Sequence, residues 1–66
     1  MPFRIRVPEP ALKEVRRGRV VGEEKVPGLP FKLVVIESVN DVIEYVDASG
    51  RLRKFCLLRG RVYSCS

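Results

Sequence analysis

Sixty-six residues suffice for one small domain, which buries only about 60% of its extended-chain surface and is marginal without reinforcement. Thirteen basic residues against eight acidic ones leave a net charge of +5, which points to polyanionic partners such as nucleic acid or acidic proteins and is silent on fold. With no histidine, a serine or cysteine nucleophile lacks its usual base, no phosphate-loop motif occurs, and catalysis is not expected.

The chain opens on PFRIRVPEP, where Phe3, Ile5 and Val7 alternate with Arg4 and Arg6. That period of two predicts a half-buried strand, stopped by Pro8 and Pro10. PALKEVRRG then offers proline at a first helical position, Leu12 and Val15 three apart, and Gly18 where a C-terminal cap would fall. A short helix near residues 10–17 is expected from that pattern. Residues 19–26, RVVGEEKV, alternate poorly around Gly22 and suggest a weak or bulged edge strand. Pro27-Gly28 meets the needs of a type II turn. FKLVVIES follows as the most apolar segment and is expected to be the central strand.

The stretch VNDVIEYVDASG has two readings. Val39, Val42, Ile43 and Val46 fall at helical spacing, with Ser38 as an N-cap and Gly50 as a stop. The β-branched density and the turn chemistry of VDASGRL favour a strand and hairpin instead. Asp47 can bond its own turn, and Gly50 can take the left-handed position of a three-residue loop. That loop sets Asp47 against Arg51, Val46 against Leu52, Tyr45 against Arg53, Glu44 against Lys54 and Ile43 against Phe55. The opposed charges and apolar pairs support this register. Arg59-Gly60 turns the chain again, and RVYSC returns as a final strand whose register is left open by one residue. Such a slip exchanges the faces of Val62 and Tyr63.

These elements compose an all-β fold over residues 1–66: a single small domain, an antiparallel meander of about five strands curled into an SH3-like or OB-like barrel, with one short helix. Eleven valines and no tryptophan agree with it, because β-branched side chains suit a pleated surface. Cys56 and Cys65 match no zinc pattern, so no metal or cofactor is expected. Free, half-buried thiols are favoured over a disulfide, which gains weight only for an intracellular protein of a hyperthermophile. Abundant charge without glutamine or threonine fits a thermophile. No run of eighteen apolar residues and no signal-peptide pattern occurs, so a soluble cytoplasmic protein with no membrane partner is expected.

In the hairpin register, Tyr45, Arg51, Arg53 and Phe55 share one face with Ile43, Asp47 and Leu57. The opposite face holds Val42, Val46, Leu52, Cys56 and Leu58, interrupted by Glu44 and Lys54. The second set is the more apolar and is taken as core. The first then becomes an exposed face where guanidinium forks can meet phosphates and rings can stack on bases. Arg59 and Arg61 extend that track, Arg4 and Arg6 face outward from the first strand, and Arg16, Arg17 and Arg19 cluster around Gly18. In the competing arrangement Ile43, Phe55 and Leu57 are core, with Tyr45 and Arg53 at the rim. The expected function is nucleic-acid binding, DNA or RNA, of low sequence specificity. The alternative is a protein-interaction module: a subunit of a larger complex, or a homodimer paired along the edge at residues 19–26. In size, charge and valine content the chain is similar to archaeal chromatin proteins with SH3-like barrels, a resemblance that no motif carries to individual residues.

Overall fold

The computed structural model describes residues 2–65, which form seven strands and one 3-10 turn. In chain order these are β1 (Arg4–Pro8), the turn (Glu9–Ala11), β2 (Leu12–Arg17), β3 (Arg19–Lys25), β4 (Lys32–Glu37), β5 (Val42–Asp47), β6 (Leu52–Leu58) and β7 (Arg61–Ser64). All pairings are antiparallel. One sheet has the order β1-β4-β3 and the other β2-β5-β6-β7. This corrects the expected five-stranded barrel: the strands form two open sheets around a shared core and do not close. The reason lies in the first twenty residues, where the chain changes sheet at the 3-10 turn and again at Gly18. β1, β2 and β3 are thereby dealt alternately to the two sheets, and the longest continuous meander, β5-β6-β7, has only three strands.

The expected helix at residues 10–17 is absent, and that segment is β2. Its three-residue apolar spacing has another cause. Register shifts between Leu12 and Glu14 and between Val15 and Arg17 insert extra residues, so Leu12 and Val15 both turn inward from a strand. Gly18 ends no helix. At φ +111° it carries the chain from β2 into β3, and a Cβ there would lie 2.9 Å from the Glu37 carbonyl oxygen and 3.1 Å from Ile36 Cγ2. Only glycine accommodates both the dihedral and the approach.

Elsewhere local chemistry and fold agree. β4 is the middle strand of its sheet, and β3 is an edge with a register shift between Val20 and Gly22. The Leu29 amide donates to the Val26 carbonyl at 3.1 Å across Pro27-Gly28, whose glycine sits at φ +91°, as a type II turn requires. The β5–β6 hairpin has the expected register from Ile43–Phe55 to Val46–Leu52. Asp47 Oδ1 accepts from the amides of Ser49 and Arg51, both at 3.0 Å, and Gly50 sits at φ +85°.

The core joins the sheets through Phe3, Val7, Val34 and Ile36 on one side and Ile43 and Tyr45 on the other. Ile5, Ala11, Leu12, Val15, Phe55 and Leu57 pack against them. Ile36 and Ile43 are fully buried, and such a side chain contributes about 1.5–3 kcal/mol. Buried Ser38 ties the N-terminal segment to the β4–β5 connection. Its Oγ accepts from the Phe3 amide at 3.0 Å and donates to the Asn40 carbonyl at 2.7 Å. Cys56 and Cys65 are bridged across β6 and the end of β7, correcting the expectation of free thiols. Closing a loop of that length removes chain entropy worth about 2.7 kcal/mol from the segment when it is disordered.

Candidate nucleic-acid interface

The register of the β5–β6 hairpin is as expected, but its faces are exchanged. Tyr45 is 9% exposed, and Phe55 packs against the core with the two rings stacked at 6.2 Å. Neither ring is an open stacking platform, and Arg53, opposite Tyr45, stands half-buried at the rim. The set taken as core, with Val42, Val46, Leu52, Cys56 and Leu58, lies on the outer face. Apolar count misled because area and charge placement decide. Ile43, Tyr45, Phe55 and Leu57 form an uninterrupted block containing two rings, whereas Glu44 opposite Lys54 splits the other set.

The arginines around β1, β2 and β3 are engaged by carboxylates. Arg4 and Arg19 reach Glu37 from opposite neighbouring strands, at 3.0 and 3.2 Å. Arg6 holds Glu24 through two hydrogen bonds of 2.8 and 3.1 Å, spanning β4 above Val35. Arg16 pairs with Glu14 at 2.6 Å and Arg17 with Glu44 at 2.7 Å. Hydrogen bonds from Arg4 and then Arg19 hold the Glu37 carboxyl below its ordinary value, and Arg6 does the same to Glu24. Asp47 is lowered too, chiefly by the Ser49 hydroxyl and the Arg51 backbone.

A different population remains on β6 and β7. Among the described residues, Arg51, Arg53, Lys54, Arg59 and Arg61 make no ion pair within 4 Å, although Arg53 is near enough to help lower Asp47, and no acid lies between residues 48 and 65. Lys13 and Lys25 are likewise unpaired but stand apart on β2 and β3. Arg51 and Arg53 lie at the β5–β6 turn, whereas Arg59 and Arg61 lie at the β6–β7 turn, so the block divides between two ends of β6. Arg59 and Gly60 both have positive φ, 53° and 75°, which makes a two-residue type I′ hairpin. That turn fixes Leu58 opposite Arg61 and Cys56 opposite Tyr63.

The outer face of β6 and β7 therefore presents Lys54, Cys56 and Leu58 beside Arg61 and Tyr63. Tyr63 is 43% exposed and stands next to the disulfide. A groove of about 470 Å³ runs here, with Val42, Cys56 and Leu58 as apolar floor, Tyr63 at one side, Lys54 contributing positive charge, and Asp41 and the Glu44-paired Arg17 also in its lining. A second groove, of about 450 Å³, is flanked by Arg19 and Glu37, already bonded to each other. Of the residues singled out from sequence, Arg59 and Arg61 adjoin the first groove and Arg17 lines it. Tyr63 and Lys54 were missed. One signal could have found them: bridging Cys56 to Cys65 puts both on one face, and Tyr63 and Arg61 share the parity of Cys65. Comparison with protein-family models, curated proteins and solved structures finds no match to this chain.

Proposed function

We propose that the chain is a sequence-tolerant nucleic-acid-binding module that takes a single strand on the outer face of β6 and β7. The partition of charge carries this reading: five arginines are neutralised by the fold, whereas Lys54, Arg59 and Arg61 make no ion pair among the described residues. Lys54 and Arg61 flank Tyr63, whose ring offers the base-stacking surface that Tyr45 and Phe55 cannot. Arg59 extends the track around the turn, and the apolar floor of the groove suits a base more than bare phosphate.

Fluorescence anisotropy with labelled single-stranded oligonucleotides, titrated at low and moderate salt, tests the proposal. Lys54→Ala combined with Arg61→Ala should flatten the log–log salt slope by about 1.4, two contacts on a single strand. Tyr63→Ala should weaken binding about 5- to 150-fold, the loss of one stacked base. Arg4→Ala should leave the slope unchanged. No binding by micromolar protein at low salt, or a slope indifferent to Lys54 and Arg61, defeats it.

The second reading, a homodimer paired along β3, is favoured by Val20 and Val21, 51% and 40% exposed on an open edge. Against it stand the bulge and the charges of Arg19, Glu23, Glu24 and Lys25, devices that discourage edge pairing. Light scattering during size-exclusion chromatography separates the two: a concentration-independent monomer removes the dimer.

A further inference from the structure

We infer that the Cys56–Cys65 disulfide is a redox latch on β7, and that reducing it releases half of the interface described above; the link to binding rests on that proposed function. β7 is the least anchored strand. All four of its residues are exposed, none belongs to the core, and its substantial packing is against β6 alone. The turn leading into it holds Arg59 at φ 53°, a conformation that side chains with a Cβ disfavour. β7 is an edge strand of its sheet, joined to it by four residue pairs with β6 alone. The covalent link at its far end, reinforced by the Cys65 amide donating to the Lys54 carbonyl at 3.0 Å, closes what the turn begins.

Both cysteines are half-buried, so a thiolate can reach the bond. The reductant is a dithiol, small-molecule or protein. Its thiolate attacks one sulfur to form a mixed disulfide, and its second thiol resolves it. The S–S bond takes up two electrons and two protons to become two thiols, and the reductant leaves as its own disulfide. Without the link, the open population of β7 rises about a hundredfold, the chain-entropy factor for a loop of about ten residues. Tyr63 then leaves the groove, and Arg61 its place beside it, while Lys54 stays on β6. Oxidised protein should therefore bind a single strand through a fixed cation–ring–cation row, and reduced protein through Lys54 with a mobile tail.

Amide hydrogen exchange on oxidised protein and on protein held in excess dithiothreitol tests the latch, with Ile36, Ile43 and Tyr45 as internal references. The expected result is a loss of protection of about a hundredfold confined to residues 61–65, with the references unchanged. Unchanged protection at 61–65 overturns the proposal. Parallel loss at the references overturns it too, since the bond would then be a global staple. The Cys56→Ser, Cys65→Ser double variant should reproduce the reduced pattern without reagent. Anisotropy on the same samples reads the coupling: reduction should weaken binding about tenfold or more and flatten the salt slope by about 0.7, one single-strand contact. Equal binding in both states overturns the coupling. Absence of binding in the oxidised state defeats the proposed function, while exchange at 61–65 still decides the latch.

Discussion

Gly18→Ala isolates the crossing on which the two-sheet architecture depends. Two costs arise at that position. Its φ of +111° is outside what an L-residue accepts, a strain of about 1–3 kcal/mol. The new Cβ would also stand 2.9 Å from the Glu37 carbonyl, a backbone atom held in register with Arg4 and Arg19 on both sides. Overpacking of that kind typically costs about 1–3 kcal/mol, so the combined loss is about 3–4 kcal/mol. A domain of 66 residues has a total stability of roughly 3–10 kcal/mol, so a large part of it is removed. Thermal unfolding by circular dichroism should show Tm lower by about 12–30 °C. Two other glycines divide the causes. Gly28 has φ +91° but open space around it, so Gly28→Ala should cost about 1–2 kcal/mol, strain alone. Gly22 has neither a left-handed φ nor a neighbour within 4 Å, and Gly22→Ala should stay within about 0.5 kcal/mol of wild type. A Gly18→Ala protein as stable as wild type, or a Gly28→Ala protein equally damaged, would refute the crossing as the site of close approach.

Acid should destabilise the fold. Glu24, Glu37 and Asp47 all have folded-state values below their ordinary 4.5, 4.5 and 3.8, so the unfolded chain binds protons first. Their stabilisation is complete above those ordinary values and is lost as pH falls through the depressed ones. Tm measured from pH 7 to 2.5 should drop below about pH 4.5; a flat or rising curve contradicts the ion-pair assignments. Added salt should affect stability and binding unequally. Exposed pairs contribute about 0–1 kcal/mol each, so Tm should move only a few degrees between 50 and 500 mM salt while oligonucleotide binding collapses. Parallel losses would mean that the same charges serve both roles.

The sequence was most informative where one local rule had no competitor. Asp47, Gly50 and the alternating charges around them defined a single hairpin register, and Pro27-Gly28 defined a single turn. It failed where two rules gave the same pattern. Leu12 and Val15, three apart, satisfy a helix and also a bulged strand, and only pairing of Val15 with Tyr45 distinguishes them. The core face of β5 and β6 could not be read from counting apolar residues, because both faces carry them. It is decided by which face can bury a charge-free block beneath a second sheet. The partners of Arg4, Arg6 and Arg19 were hidden for another reason. Glu37 and Glu24 lie 18 or 33 positions away, and their proximity follows only from β4 lying between β1 and β3.

Counting arginines therefore overstates the charge available to a partner. Arg4, Arg6, Arg16, Arg17 and Arg19 sit on or beside strands that carry glutamates, and the sheets bring those glutamates within reach. Residues 48–65 contain no acid, so the acids that face β6 come from β5, with Glu44 opposite Lys54 and Asp47 near Arg53, while β7 pairs with β6 alone and meets none there. The four β6–β7 pairs set Arg61 against Leu58 and no charge against charge, so neither ion pairing nor core packing holds β7 to its neighbour. A covalent bond at that point is what physical chemistry would demand if the hairpin must stay ordered while its charge stays free. The disulfide and the unpaired Arg61 thus have one explanation: the strand with the least packing is held by chemistry, leaving its charge for a ligand to satisfy.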